Sequence, residues 1–170
     1  MCMIIDNFLD DETFSKLQNS LLGKTIPWYF YDYTTHFARE SAEFFFGHTF
    51  YESYMPRSAH SEELKPLIDK IHPISVWKGR ANLLTRTPTI VESAYHTDMG
   101  STIKDPEKLK QWTTAIFYIN TNDGYTKLED GTIVESVANR LLTFPANVEH
   151  KGTTCTDEKR RVVLNLNYFS

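Results

Sequence analysis

The hydrophobic pattern is mixed in the first 73 residues, where two stretches have a helical period, and after Pro73 short β-like runs alternate with turn sequences. Two helices are predicted in the first part, the second near 61–71, where Pro66 is expected to begin the regular turns. The first helix is expected between a capping aspartate and a glycine, with three apolar residues on one face: Asp10 or Asp11, Phe14, Leu17, Leu21 and Gly23. A short strand is expected at 3–5.

The second part of the chain predicts a series of short strands without helices between them. The expected strands are 74–84, 90–96, 112–119, 132–135, 140–144 and 161–169. Turn sequences such as Asn122-Asp123-Gly124 and Asp130-Gly131 separate them. This spacing favours a β-sandwich or barrel, with the two leading helices packed on one sheet.

A candidate metal site follows the predicted strand 90–96. Residues i and i+2 of a strand point to the same face, so His96 and Asp98 can face one ion. His150 stands near the start of another β segment and can supply a second imidazole. Two imidazoles and a carboxylate form the facial triad of non-haem Fe(II) oxygenases. The alternative interpretations are a His–Asp pair at a strand end and a surface loop histidine.

The last predicted strand has one apolar face and one unusually polar face. The apolar face, which suits packing under the helices, carries Val162, Leu164, Leu166 and Tyr168. The other face, expected to point into a polar interior, carries Arg161, Val163, Asn165 and Asn167. A hairpin turning at 154–157 would place Arg161 opposite His150, where its guanidinium could bind a carboxylate. If the turn has an odd number of residues, Arg160 takes that place. The alternative is that both arginines are solvated edge charges.

Composition places the chain among ordinary globular proteins. The net charge of −4 shows no basic face for nucleic acid. Two cysteines without a Cys/His cluster fit a reducing cytoplasm. There is no signal-peptide pattern and no apolar stretch of about 20 residues. We therefore expect a cytoplasmic protein that does not enter a membrane.

The stretch 81–169 resembles the Fe(II)- and 2-oxoglutarate-dependent dioxygenases, particularly their prolyl 4-hydroxylase-like branch. The matching motifs are His96-x-Asp98, the strand 114–120, Asp130-Gly131, the strand 139–145, His150-x-Gly152 and Arg161-Val162-Val163-Leu164. The chain departs from the family pattern at three positions. Asn122-Asp123-Gly124-Tyr125 replaces a Gly-Gly pair, Asn139 replaces a glycine, and 158–161 replaces a Gly-x-Arg.

The resemblance implies a double-stranded β-helix, or jelly roll, in a single domain spanning 1–170. Its helical and aromatic support would occupy about 1–73 and its β core about 74–170. The resemblance also implies Fe(II) bound by His96, Asp98 and His150, with 2-oxoglutarate and O₂ as co-substrates. The basic residue of the last strand, Arg161 or alternatively Arg160, would bind the 5-carboxylate of 2-oxoglutarate.

Further expectations concern the residues that line the pocket and the class of substrate. Polar residues that could contact the co-substrate are Asn82, Asn165 and Asn167. The segment 99–108 could form a lip over the site. The aromatic band 28–54 is expected to belong to the hydrophobic core. The alternative is that it lines a substrate groove. The substrate would be a protein side chain or a small molecule. A nucleic-acid demethylase, a cupin-type metalloenzyme and a non-catalytic jelly-roll binding module are the other hypotheses.

Overall fold

The predicted N-terminal helix forms as α1, Asp11–Leu22, in the computed structural model, which describes residues 2–32 and 44–170. Asp10 caps it, because its carboxylate accepts a hydrogen bond of 2.9 Å from the backbone N–H of Thr13. Leu17 and Leu21 are buried on one face, as their spacing predicted.

The second predicted helix begins as a 3₁₀ turn, Ser61–Leu64, and continues as α2, Lys65–Ile71. Pro66 lies in the first turn of α2, where its missing N–H breaks no helical hydrogen bond. The prediction that the regular turns begin at Pro66 is confirmed. A short third helix, α3, spans Pro106–Leu109.

Eleven strands are found in the described residues. They are β1 Met3–Ile5, β2 Tyr29–Tyr31, β3 Phe45–Glu52, β4 Met55–Pro56, β5 Ser75–Thr85, β6 Trp112–Tyr118, β7 Tyr125–Leu128, β8 Ile133–Glu135, β9 Arg140–Pro145, β10 His150–Gly152 and β11 Arg160–Phe169. The short strand and five of the six later strands are confirmed to within two residues. The predicted elements omitted β2, β3, β4 and β7.

The strands form a large and a small antiparallel sheet. Within the described chain the large sheet has the order β1-β9-β6-β11-β5-β3-β2, with β4 paired to β3, and the small sheet has the order β10-β7-β8. A mainly β protein with helices at its N-terminus was predicted, and this is confirmed.

The predicted strand 90–96 is wrong as a continuous strand. The segment contacts β10 through two isolated bridges, Glu92–Thr153 and His96–His150. Glu92 and His96 are four positions apart, whereas their partners His150 and Thr153 are three positions apart. One extra residue therefore has to be accommodated, as in a β-bulge, and a bulge redirects the side chains beside it.

The predicted hairpin between β10 and β11 is also wrong. β10 pairs with β7 in the small sheet, whereas β11 pairs with β5 and β6 in the large sheet. The 154–157 segment therefore crosses between the sheets, and His150 and Arg161 face each other across the interior.

The two faces of the large sheet pack against different parts of the molecule, and each contributes to its own apolar cluster. The outer face packs against the helices, with Val162, Leu164, Leu166 and Tyr168 contributing from β11. The inner face packs partly on the small sheet, where Ile116, Tyr118, Leu128, Val134, Leu142, Phe144 and Val163 form a second apolar cluster. The predicted polarity of the two faces of β11 is confirmed.

The aromatic band contributes to the core and to the surface. Phe45 and Phe50 are buried, whereas Tyr29, Phe30 and Tyr54 are more than half exposed. Its positions 33–43 lie outside the described residues. No helix in the described part of the chain is long and apolar enough to cross a bilayer.

Candidate metal centre and cofactor cavity

His96, Asp98 and His150 meet at one end of the interior, between the two sheets. His150 opens β10, and His96 is held beside it by two backbone hydrogen bonds of 3.0 Å. Asp98 follows two residues later, with its Oδ1 atom 3.7 Å from His96 Nε2 and 3.9 Å from His150 Nε2. The three predicted ligands are therefore brought together.

This donor set fits a metal ion. One ligand atom from each side chain lies within 4.8 Å of the others. His96 Nδ1 lies 3.1 Å from the Ala94 carbonyl oxygen. Because a carbonyl only accepts, the neutral ring donates from Nδ1 and leaves the Nε2 lone pair facing Asp98. Hydrogen bonds of this kind orient metal-binding histidines.

Burial and charge set the protonation of the three groups differently. Burial lowers the pKa of His150 to about 4, so its imidazole is neutral at neutral pH. Burial also acts to lower the pKa of His96, but the hydrogen bond and charge of Asp98 outweigh it and raise that pKa. The same contacts hold the pKa of Asp98 well below its ordinary value despite burial. His96 therefore takes up a proton more readily than a free imidazole, and a metal ion bound at Nε2 would displace that proton.

Asn167 supports the aspartate from the large sheet. Its amide donates hydrogen bonds of 3.1 Å to Asp98 Oδ2 and to Thr114 Oγ1. Oδ2 is thereby turned away, and Oδ1 faces both imidazoles. The sequence placed Asn167 on the inward face of β11 but gave no reason to pair it with Asp98, which lies 69 residues away.

Arg161 lies at the deep end of the same cavity and is 2 % exposed. Its Nε donates to Ser136 Oγ at 2.7 Å, and Nη2 donates to Thr126 Oγ1 at 3.2 Å. Its charged group lies 5.7 Å from the centre of the Tyr118 ring. No carboxylate in the described residues forms a salt bridge with it. Burial accordingly lowers the pKa of Arg161.

Arg160 points to the opposite face of β11. Its guanidinium donates to the backbone carbonyl of Leu22, at the end of α1. Of the two adjacent arginines, Arg161 lines the cavity and Arg160 does not, so the alternative with Arg160 pointing inward is wrong.

Asn82 and Asn165 also line the cavity, as predicted. The amide oxygen of each is buried and has no hydrogen-bond partner in the structure. Such acceptors are satisfied by water or a ligand donor. Their predicted contact with a co-substrate stays a prediction.

The cavity encloses about 580 Å³ of empty space, including its open mouth. Its walls combine the triad and Arg161 with apolar side chains such as Phe45, Leu84 and Ile116. Arg80 lines it as well, although sequence reasoning gave Arg80 no role. The only available signal was its alternation with Asn82 along β5.

The segment after Asp98 is partly anchored beneath the surface. Met99 is fully buried and packs in a cluster with Leu109 and Ala146. Asp105 caps α3 through bonds to the backbone of Glu107 and Lys108. The predicted role of 99–108 as a lip stays a prediction.

No protein-family model matches this sequence, and no curated protein matches it. Solved structures do match, over 99 % of this chain in each case. An oxidoreductase of the 2OG-Fe(II) oxygenase family from Burkholderia pseudomallei has a TM-score of 0.69 and 11 % identity, with 84 % of that chain covered. A prolyl hydroxylase from Trichoplax adhaerens, in complex with a hypoxia inducible factor peptide fragment, has a TM-score of 0.66 and 15 % identity, with 83 % covered.

This chain has the fold of the 2OG-Fe(II) oxygenases. A further match is the alpha ketoglutarate dependent epimerase SnoN from nogalamycin biosynthesis, with a TM-score of 0.69, 14 % identity and 76 % of that chain covered. The predicted double-stranded β-helix is thus confirmed. Two of these neighbours, a prolyl hydroxylase and an epimerase, are named for different reactions, so function has to be argued from the residues of the site.

Proposed function

We propose that this chain is an Fe(II)- and 2-oxoglutarate-dependent oxygenase that hydroxylates a protein side chain or a small molecule. In this proposal His96, Asp98 and His150 bind the iron, and Arg161 binds the 5-carboxylate of 2-oxoglutarate. The proposal rests mainly on the position of Arg161. A buried guanidinium without a carboxylate, in the same cavity as a His-Asp-His cluster, calls for an anionic ligand.

Each residue has a part that follows from its contacts. When bound, iron and 2-oxoglutarate supply the chemistry that oxidises an unactivated C–H bond, with O₂ consumed and succinate and CO₂ released. The neutral His150 offers a lone pair without losing a proton, and Asn167 keeps one Asp98 oxygen facing the histidines. Arg161 fixes the far end of the co-substrate with charge-assisted hydrogen bonds, while the apolar walls exclude water.

The remaining predictions become part of the same proposal. Asn82 and Asn165 hold the co-substrate or a bound water through their unpaired amide oxygens. The helical and aromatic support, about 1–73, and the β core, about 74–170, form one catalytic domain that acts in the cytoplasm. No observation on the described residues favours nucleic-acid demethylation. The convergence of titratable groups in one cavity supports a catalytic site over a non-catalytic binding module.

The test uses the two adjacent arginines. Under nitrogen, protein carrying Mn(II) is titrated with 2-oxoglutarate by calorimetry. Arg161→Gln is expected to weaken 2-oxoglutarate binding by roughly 100-fold, because one charge-assisted bidentate contact is lost. Arg160→Gln removes the same charge outside the cavity and is expected to leave the affinity within about twofold. Equal affinities in both variants would contradict the assignment of Arg161.

Turnover is measured separately. With Fe(II) and O₂, the wild-type protein is expected to convert 2-oxoglutarate to succinate slowly even without substrate. His96→Ala is expected to lose this conversion together with its Mn(II) affinity, because one of three ligands is missing. Full conversion by that variant would exclude His96 as a ligand.

A further inference from the structure

Arg80 lies near the triad, on the side of the cavity away from Arg161. On the inner face of β5, Leu84 pairs with Arg161 of β11, whereas Arg80 pairs with Asn165. Four residues of strand separate the two rows, about 13 Å along the sheet. Arg80 borders the same space as Asp98 and Lys78.

Two aromatic rings hold the guanidinium of Arg80. It lies 5.0 Å from the centre of the Phe45 ring and 5.7 Å from that of Tyr31, and these rings stack on each other at 4.8 Å. These cation–π contacts hold the guanidinium without using its hydrogen-bond donors.

One donor of Arg80 has no partner among the described residues. Its Nε is buried and forms no hydrogen bond with any described residue. No carboxylate of the described residues lies within salt-bridge distance of the guanidinium. An arginine that served only to pack on aromatic rings would keep its Nε in water, because burying that N–H group unpaired is costly.

Among the described residues, the charges around Arg80 do not compensate its positive charge. Lys78 has Glu52 as a partner at 3.8 Å. Burial, and next the positive charge of Arg80, lower the pKa of Lys78. Asp98 is engaged by His96 and Asn167. A divalent metal ion and a doubly charged 2-oxoglutarate would neutralise each other, so they would not offset Arg80.

We propose that Arg80 binds a carboxylate of the substrate, so that the substrate of this oxygenase is an acidic molecule. This inference rests on the proposed function and specifies its substrate class. The planar fork of the guanidinium suits a carboxylate, which it can bind through two parallel hydrogen bonds. In this proposal Arg161 binds the 5-carboxylate of 2-oxoglutarate, and Arg80 binds the carboxylate of the substrate.

The test compares acids with their amides. Protein carrying Mn(II) and saturating 2-oxoglutarate is kept under nitrogen, so that no turnover occurs, and is titrated by calorimetry. The probes are acetate and acetamide, glutamate and glutamine, and N-acetylated, C-amidated glutamate and glutamine. The variants are Arg80→Gln and, as a matched control, Arg86→Gln, which removes an exposed positive charge just beyond β5.

The wild type and Arg86→Gln are expected to bind at least one acid about tenfold more tightly than its amide. Arg80→Gln is expected to lose that preference while it keeps its 2-oxoglutarate affinity. Preference for the free acids identifies a small-molecule substrate, and preference for the capped glutamate identifies an acidic residue of a peptide.

Two results would overturn the inference. One is an equal affinity for acid and amide in the wild type across all pairs. The other is a loss of 2-oxoglutarate binding in Arg80→Gln as large as in Arg161→Gln, because Arg80 would then serve the co-substrate. Failure of the wild type to bind 2-oxoglutarate at all would count against the proposed function. The acid–amide comparison is therefore also run without 2-oxoglutarate.

Discussion

Arg160 and Arg161 are adjacent and chemically identical, yet β11 sends them to opposite faces of the large sheet. Arg160 reaches the end of α1, and Arg161 is sealed inside the cavity. The sequence could predict that one of them points inward, because alternation along the strand is strict. It could not choose between them, because the choice depended on a hairpin that does not form.

At Asn167, we predict that metal affinity depends on the support given to Asp98. Asn167→Leu removes the amide that donates to Asp98 Oδ2, so the carboxylate is free to rotate away from the histidines. Loss of such a supporting hydrogen bond typically weakens metal binding by about 10- to 100-fold. Asn165→Leu is the matched control, because Asn165 lies on the same face of β11 without contacting Asp98. Equal Mn(II) affinities in the two variants would refute the prediction.

At His96, we predict that Mn(II) affinity falls as the pH falls through the raised pKa of this imidazole. The folded pKa of His96 is raised above its ordinary 6.5. Below that pKa the metal has to displace a proton and its affinity declines, whereas above it the affinity is independent of pH. His150 adds no second proton, because its pKa lies at about 4. Calorimetry in two buffers with different ionisation enthalpies should show proton release on Mn(II) binding that increases as the pH falls, and a flat profile would contradict this.

At the scale of elements, Asn139 explains one departure from the dioxygenase pattern. It precedes β9 with φ +64°, a left-handed conformation that favours glycine and tolerates asparagine. Its side chain accepts from Leu9 N–H and donates to the Leu9 carbonyl, both at 2.8 Å. Asparagine thus keeps the turn and also ties the segment before α1 to the large sheet.

We predict that Asn139→Gly lowers the free energy of unfolding by about 1–3 kcal/mol, because two buried hydrogen bonds are lost while the turn is retained. Asn139→Ala is expected to cost about 1 kcal/mol more through its strained backbone. Asn7→Gly is the control, since Asn7 is exposed at φ +50° and forms no side-chain hydrogen bond in the described residues. Urea unfolding measures all three. The prediction is wrong if the Asn7 and Asn139 glycine variants lose equal stability.

The elements that the sequence predicted best are those with a local signal. Capping at Asp10, the position of Pro66 and the alternation along β11 each act within a few residues. The segment 90–96 had a strand-like composition, but its mismatch with β10 depends on a partner more than 50 residues away. β3 was not predicted because its aromatic run, around Phe45 and Phe50, shows no regular alternation of apolar and polar residues.

At the scale of the whole molecule, the sequence predicted the three triad residues but not how they assemble. His150 belongs to the small sheet, whereas Asn167 and Arg161 belong to the large one. Arg161 also bonds across the interior to Thr126 of β7. Contacts between distant segments follow from the packing of the complete fold, so no local pattern could indicate the Asn167–Asp98 bond.

Because the site joins the two sheets, its ligands should stabilise the whole molecule. A ligand at about 100 times its Kd stabilises the folded state by about 2.7 kcal/mol, provided that the unfolded chain does not bind it. For a chain of this size that corresponds to a rise in Tm of about 5–10 °C. Mn(II) alone should produce the first rise and 2-oxoglutarate a second, because Arg161 then gains the anion it lacks.

The variants separate these two steps. His150→Gln should lose the Mn(II) shift, and with it the 2-oxoglutarate shift, because the co-substrate needs the metal in the proposed site. Arg161→Gln should keep the first shift and lose only the second. Thermal unfolding followed by circular dichroism measures both, with a chelator added to reverse them. A 2-oxoglutarate shift that survives in Arg161→Gln would mean that the buried guanidinium serves another anion.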